Sequence, residues 1–313
     1  MGINESFISA STFPSKLLHQ NILDDKGRIK PIHIQLTPTN ACNLHCKFCS
    51  CSDVDRKKSL TYEQMTNILD VGAKYGTKAI TITGGGEPLL HPQINNIIKY
   101  AETKEIECGL VSNGTILNKL ETHNNLTWCR ISCSDDRKHN LNKIEDAVKL
   151  NTNTDWAFSY VITRNPNYEN LNELLDFANK HNFSHMRLVS DLFDLDNIPS
   201  MDKIKENIHF DDSKVIYQGR KDSTRGNKDC FISLLKPVIA PEGIFPCCGT
   251  QYAIHGQKKA LVNKLKMGDI KDLEKIIINQ KQFDGSVCDV CFYSQYNDAI
   301  SKKLNIPEHL NFI

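Results

Sequence analysis

The chain has 313 residues, 40% hydrophobic and 24% charged, a composition that suits a globular protein with a sizeable core. A formal net charge of +1 gives no overall electrostatic case for nucleic-acid binding. The opening MGINESFISASTF lacks a basic stretch followed by an apolar one, and no apolar run approaches the ~18 residues of a membrane span. Export and membrane insertion are therefore not expected, a cytoplasmic location is, and the Met-Gly start is too short a match to a myristoylation signal to carry weight.

Residues 1–30 are polar and read as a short irregular extension. From Pro31 the pattern alternates. Ile32–Leu36 reads as a strand and Tyr62–Tyr75 as a helix with Thr61 near its start; Lys78–Thr83 is a β-branched strand, followed by a helix over Pro92–Lys104. Glu107–Ser112 is a strand, Asn118–His123 helical, Thr127–Cys133 a strand and Leu141–Leu150 a helix. Trp156–Ile162 and His185–Val189 are strands on either side of a helix at Leu171–His181. Strand–helix units of this length wrap into an open or partial parallel barrel, an α/β fold with six such units over residues 31–193. In such folds chemistry collects at the C-terminal ends of the strands. Residues 194–229 read as a connector, and 230–313 as a small second domain with its own cysteines.

Twelve cysteines are many for a chain without an export signal, and metal binding explains them better than disulfides. Cys42, Cys46 and Cys49 form a C-x3-C-x2-C loop just after the first strand. Three thiolates so close can hold three irons of a 4Fe–4S cluster and leave the fourth open to a small molecule. Zinc with His45 as a fourth ligand is the alternative. Gly84-Gly85-Gly86-Glu87-Pro88 follows the second strand, where glycines serve either a tight turn or close approach to a ligand. Cys108 and Cys129 lie in or beside strands and read as buried apolar residues.

The cysteine loop, with Phe48 just before its last cysteine, and the glycine loop after the second strand together resemble the radical S-adenosylmethionine (SAM) superfamily. The resemblance covers roughly residues 31–300. It implies that Cys42, Cys46 and Cys49 hold a 4Fe–4S cluster whose open iron chelates SAM. It also implies reductive cleavage of SAM to a 5′-deoxyadenosyl radical that abstracts hydrogen from the substrate, with a reductant such as flavodoxin or ferredoxin. Gly85, Gly86 and Glu87 match the family's GGEP motif, which engages the methionine ammonium group. Arg130–Ser134 resembles the family's R-V-S-L-D strand ending and assigns Ser132 to SAM, although Cys133 and Ser134 depart from that pattern. Ser112, Asn113, Arg164 and Val189, at the ends of later strands, are further candidates for SAM contact, and Asp135 for an acid or base.

Cys230, Cys247 and Cys288-x2-Cys291, with Cys247 preferred over its neighbour Cys248, supply four further thiolates, a set that zinc would fit as well. Their order resembles the twitch domain, the shorter relative of the SPASM domain. That implies one auxiliary 4Fe–4S cluster, either an electron acceptor from a substrate radical or a structural staple. The thirty residues before the first strand are too few for the leader-binding module of many peptide-modifying members, and the ending Asn-Phe-Ile differs from the Gly-Gly of pterin-forming ones. A small-molecule or nucleotide substrate is therefore expected, with a peptide as the alternative if a separate protein binds the leader. A non-catalytic zinc or iron–sulfur nucleic-acid-binding protein would lack support from charge, and an electron carrier would not need the glycine loop.

Overall fold

The structure, a computed structural model, describes residues 9–209, 214–218, 225–249 and 265–305. Strands β1 (His33–Leu36), β2 (Ala79–Ile82), β3 (Glu107–Ser112), β4 (Leu126–Ser134), β5 (Asp155–Ile162) and β6 (His185–Ser190) lie side by side in chain order, all parallel. Helices follow four of them: α2 (Tyr62–Lys74), α3 (Ile94–Thr103), α4 (Leu141–Leu150) and α5 (Tyr168–Lys180). Each helix carries its apolar residues on one stripe; in α2, Met65, Ile68, Leu69 and Gly72 are buried at the i, i+3, i+4, i+7 spacing. Thr61 starts α2 through a capping box with Gln64, satisfying two otherwise orphaned backbone donors.

The strands alternate. Ile34, Leu36, Ile80, Ile82, Cys129, Ile131, Cys133, Phe158 and Tyr160 point to the helices and form one core with them. The alternate residues, among them His33, Thr81, Trp128, Arg130, Ser132, Ser159 and Arg187, line the concave face of the sheet. His33 Nε2 and Thr81 Oγ1 lie 2.7 Å apart there, and Arg187 donates to Ser159 Oγ at 2.9 Å. Gly109 is required at the centre of this face: a Cβ there would stand 2.1 Å from the Trp128 ring, which lies flat across β3. Cys108, Cys129 and Cys133 belong to the helix-side core, and burial pushes all three thiols upward, that of Cys133 to about 12.

Three segments differ from the sequence reading. Asn118–His123 is not a helix; a single 3-10 turn at Leu117–Lys119 is followed by extended chain, because His123 and Glu121 bond Asn95 of α3 instead of closing helical turns. The N-terminal stretch is not irregular throughout: helix α1 (Ser9–His19) tolerates Pro14 and buries Leu17 against the C-terminal part of the chain. Within 194–229, read as a connector, lie helix α6 (Met201–Lys205) and strand β7 (Val215–Gln218), which pairs parallel to β6.

After strand β8 (Asp229–Cys230) and helix α7 (Ile232–Leu235), β9 (Val238–Ala240) returns to pair parallel with β1, and β10 (Gly243–Phe245) pairs antiparallel with β9. Among the described residues the sheet thus runs β10-β9-β1-β2-β3-β4-β5-β6-β7. Helix α8 (Leu273–Asn279), strand β11 (Phe283–Asp284), which pairs with β8, and helix α9 (Ser294–Leu304) complete the chain. α9 packs on α1: Phe13 stacks on Tyr296 at 4.3 Å, and Lys303 Nζ donates to the α1 carbonyls of Leu17 and Leu18 and to that of Gln20. A lysine there satisfies carbonyls that the helix end leaves open.

Candidate functional site

The loop carrying Cys42, Cys46 and Cys49 leaves the C-terminal end of β1, and all three cysteines are half-buried. It is wound by short turns, Cys49 N–H donating to Cys46 C=O and Ser52 N–H to Cys49 C=O. The glycine loop after β2 lies directly on it: Gly86 N–H donates to Thr39 C=O at 3.1 Å and Glu87 N–H to Ala41 C=O at 2.8 Å. Only glycine fits this approach. A Cβ on Gly86 would stand 2.0 Å from Ala41 O, and one on Gly85 2.3 Å from Asn40 Oδ1. The glycines thus serve close approach of the two loops to each other.

Glu87 is 1% exposed, turned inward rather than toward the mouth. Its carboxylate accepts from Ser112 Oγ (2.8 Å), Asn113 N–H (2.6 Å) and Leu89 N–H (3.1 Å), which ties the end of β3 to the glycine loop. Burial raises its pKa, and these bonds oppose the shift. Asn113 in turn donates to Asn43 Oδ1 at 2.9 Å in the cysteine loop and lies 4.0 Å from Cys42 Sγ. The three motif loops therefore form one bonded unit.

Two arginines absent from the sequence reading complete it. Arg56 donates to the carbonyls of Asn40 and Gly85, bridging the cysteine and glycine loops, and Arg137 donates to Asn113 C=O. Neither sits in a recognisable motif; a basic residue shortly after the cysteines was the only available signal. The thiol of Cys51 hydrogen-bonds Cys49 and, with Arg56, holds the Cys49 thiol at about 6 against the opposing effect of burial. The direction of the shift favours the thiolate, the form in which cysteine binds metal. Burial raises Cys46, whose thiol feels both Cys49 and Cys42, while Arg137 opposes the rise. Phe48 is half-buried beside them.

Of the remaining candidates, Ser132 and Val189 lie on the concave face near the C-terminal ends of β4 and β6. Asp135 does not face the mouth as an acid or base would. It is buried and accepts from Tyr160 Oη (2.9 Å), Thr163 N–H (2.7 Å) and Asn167 N–H (2.9 Å), so its lone pairs pin the loops after β4 and β5. Arg164 is exposed and paired in fork geometry with Asp194 at 2.7 and 3.0 Å.

The second cysteine group assembles from three segments near the N-terminal ends of the barrel strands. Gly226 and Gly285 let the segments touch: Gly226 N–H donates to Cys288 C=O at 2.9 Å, and a Cβ on Gly226 would stand 2.1 Å from Gly285 O. Burial pushes Cys230 and Cys288 up to about 11, and Cys230 feels both Cys291 and Cys288. Cys247 is raised by burial, then by Cys248, Cys230 and Cys291. Cys248 instead lies 2.7 Å from Tyr293 Oη and packs against Val238, Ala240 and Phe245. Among the described residues no three His, Cys, Asp or Glu side chains converge on a single-ion position.

Residues 36–184 match the model of the radical SAM superfamily. The barrel is a radical SAM domain. Its cofactors are a 4Fe–4S cluster and SAM, and the three thiols after β1 fit that cluster. The chain is 34% identical over 112 residues to an S-adenosylmethionine-dependent nucleotide dehydratase of Flammeovirga pacifica, a match covering 33% of this chain and 38% of that protein. It is 35% identical over 111 residues to a GTP 3′,8-cyclase of Staphylococcus aureus, covering 32% of each. The matches thus span about a third of the length of these relatives. Among solved structures, SuiB of Streptococcus suis bound to its precursor peptide SuiA aligns over 92% of this chain and 76% of its own, with a TM-score of 0.57 at 16% identity. anSMEcpe with bound AdoMet and a peptide aligns over 78% and 80%, with a TM-score of 0.52 at 16% identity. At such identities the likeness is one of fold. No helix among the described residues is long and apolar enough to cross a membrane.

Proposed function

We propose that this radical SAM domain cleaves SAM reductively and turns the resulting radical on a small-molecule substrate of the nucleotide class. The supporting observation is the bonded unit of three loops, in which Gly86 and Glu87 backbone amides seat the glycine loop on the cysteine loop and the Glu87 carboxylate holds β3 against both. Cys42, Cys46 and Cys49 would hold the cluster, while the backbone of Gly84–Gly86 and Ser132 would border SAM, with Val189 beside its adenine. When bound, cluster and SAM supply the electron transfer and the hydrogen-abstracting radical, chemistry that belongs to the cofactors. The chain's own part is to place them: Glu87 and Ser112 act as positioning residues for the loops, and Arg56 and Cys51 hold Cys49 in its ligand form.

The nucleotide class rests on the relatives of 34–35% identity, a nucleotide dehydratase and a GTP cyclase. A peptide is the second reading, favoured by the peptide-bound neighbours of the same fold. Cys230, Cys247, Cys288 and Cys291 would hold an auxiliary 4Fe–4S cluster; four thiolates close such a cluster, which suits electron acceptance better than substrate ligation. The auxiliary-cluster part would be the chain from residue 230, although β7, β9 and β10 extend the barrel's sheet beyond residues 31–193.

The test is anaerobic reconstitution with iron and sulfide, then dithionite and SAM, following 5′-deoxyadenosine and metal content. Deoxyadenosine with about eight irons per chain supports both sites, as two four-iron clusters require. Stoichiometric zinc with intact SAM overturns the reading.

A further inference from the structure

The cysteine loop is also held from the far end of the chain. Strands β9 and β10 are joined by Pro241 and Glu242, with Ala240 opposite Gly243. Proline presets the backbone for the first corner of such a turn, and Gly243 leaves it at a φ of +135°, which L side chains rarely adopt. Because β9 runs parallel to β1, with Thr37 N–H donating to Ile239 C=O at 2.8 Å, the tip of this hairpin projects past the C-terminal end of β1. The cysteine loop starts there. At that point the half-buried Glu242 accepts from Asn40 Nδ2 through its Oε1, at 2.7 Å.

Asn40 is 1% exposed and stands two residues before Cys42. Its N–H donates to Lys58 C=O (2.9 Å), its C=O accepts from Arg56 Nη1 (3.2 Å), and Nδ2 gives a second bond to Asp55 C=O (3.1 Å). A carboxylate and a carbonyl only accept, so both fix the NH2 end of the amide and keep its Oδ1 against Gly85. Asn40 therefore joins the start of the cysteine loop to its return over 55–58, to the glycine loop and to the hairpin. Glu242 alone of these acceptors is a carboxylate, and hydrogen bonds to carboxylates are the shorter and stronger kind. In so buried a place an amide hydrogen without an acceptor is unfavourable, so removal of Glu242 drives the Asn40 side chain to turn away. Ala41, the next residue, accepts from Glu87 N–H, and Cys42 follows it, so a movement of Asn40 reaches the ligand loop and the glycine loop together.

We propose that Glu242 is a positioning residue for the first cluster: its carboxylate fixes Asn40, and Asn40 fixes the approach of Cys42 to the glycine loop. The inference rests on the proposed function, in which Cys42, Cys46 and Cys49 hold that cluster. Cys247 of the second group lies five residues after Glu242, so one short stretch of C-terminal chain reaches both cysteine groups.

The test uses the full chain, reconstituted anaerobically, as wild type, Glu242→Ala and Glu242→Gln; glutamine keeps an oxygen that can accept from Asn40. The readout is the electron paramagnetic resonance signal of the dithionite-reduced protein. The part of it that changes on adding SAM reports the cluster with an open iron, and its decay under a chelator measures retention. Glu242→Ala should weaken retention of that cluster at least about tenfold, the lower bound for an outer partner of a metal ligand, and alter the SAM-responsive signal, while Glu242→Gln stays near wild type. Wild-type behaviour of a folded Glu242→Ala, or equal losses in the two variants, overturns the inference. If Glu242→Ala does not fold, Asn40→Asp removes the donor instead and should reproduce the loss. Adding Glu242→Gln to it exchanges donor and acceptor and should restore part of the retention; no restoration overturns the inference. A wild-type chain without a SAM-responsive signal overturns the proposed function and this inference with it, whereas a wild-type signal that Glu242→Ala leaves unchanged overturns the inference alone.

Discussion

The two cysteine groups solve the same problem in opposite ways. Cys42, Cys46 and Cys49 come from one loop of eight residues, fixed by hydrogen bonds from the loops after β2 and β3. Cys230, Cys247, Cys288 and Cys291 come from three segments that meet only when the C-terminal part has folded, with Gly226 and Gly285 giving the clearance. One is a local motif placed by a scaffold, and the other is a product of the tertiary fold. The first also has a cysteine held near 6, whereas burial pushes Cys230 and Cys288 of the second to about 11. In overall exposure the two are alike, since Cys42, Cys46 and Cys49 are half-buried and so are Cys247, Cys288 and Cys291, with Cys230 alone among the seven fully buried.

The sharpest way to break this comparison is to remove one thiol from each group. Cys49→Ala should abolish deoxyadenosine formation while the other group still takes up about four irons. Cys291→Ala should also lower iron to about four per chain, measured alongside it, yet leave SAM cleavage in the absence of substrate. If either variant loses both clusters, the groups are not independent.

Gly86→Ala tests whether the first group depends on its neighbours. The added methyl would meet Ala41 O at 2.0 Å, both backbone, so neither can swing aside. Overpacking of this kind should cost about 1–3 kcal/mol, read as a lower denaturation midpoint with unchanged slope. Arg56→Met, which removes the bridge from Gly85 to Asn40 without a clash, should weaken cluster retention by about 10–100-fold against a chelator, the range for outer partners of metal ligands.

A smaller effect concerns pH. Burial first, then Arg130 and Arg187, lower His185 from 6.5 to about 3. Between those values the unfolded chain takes up a proton that the folded chain does not. Stability from this residue is therefore present above pH 6.5 and lost as pH falls toward 3, by at most about 1.4 kcal/mol per pH unit. His185→Gln should flatten that part of the stability curve. The smallest effect expected is that of Cys248→Ala, which should leave iron content unchanged, since Cys248 faces Tyr293 rather than Cys230. Loss of iron there and not in Cys247→Ala would exchange their assignments.

Much of the barrel was legible because strands β1–β6 and the helices α2, α3, α4 and α5 announce themselves locally. Glu107–Ser112 and Leu141–Leu150 appear with the bounds their periodicity gives. What escaped was set at a distance. β7 is four residues in a polar stretch and becomes a strand by pairing with β6; β9 and β10 gain their place from β1, some two hundred residues earlier. At the site, spacing located the cysteine and glycine loops but could not tell where a carboxylate points. Glu87 and Asp135 stand at the strand ends where ligand contacts belong, and both are turned inward onto backbone amides. Arg56 and Arg137 act through carbonyls, for which sequence has no signature.

The pairing of β1 with β9 also bears on synthesis. During translation β1 to β7 emerge in the order in which they pair, so most of the sheet can zip up behind the ribosome. The outer edge of β1, however, has no neighbour until β9 arrives, and the apolar side of α1 waits longer still for α9 and its Lys303. A nascent chain stalled before Val238 would thus display an open strand edge next to a finished cysteine loop, a surface that invites pairing with other chains. For heterologous expression this favours slow synthesis with chaperones present, and it argues against C-terminal truncation as a route to an isolated barrel.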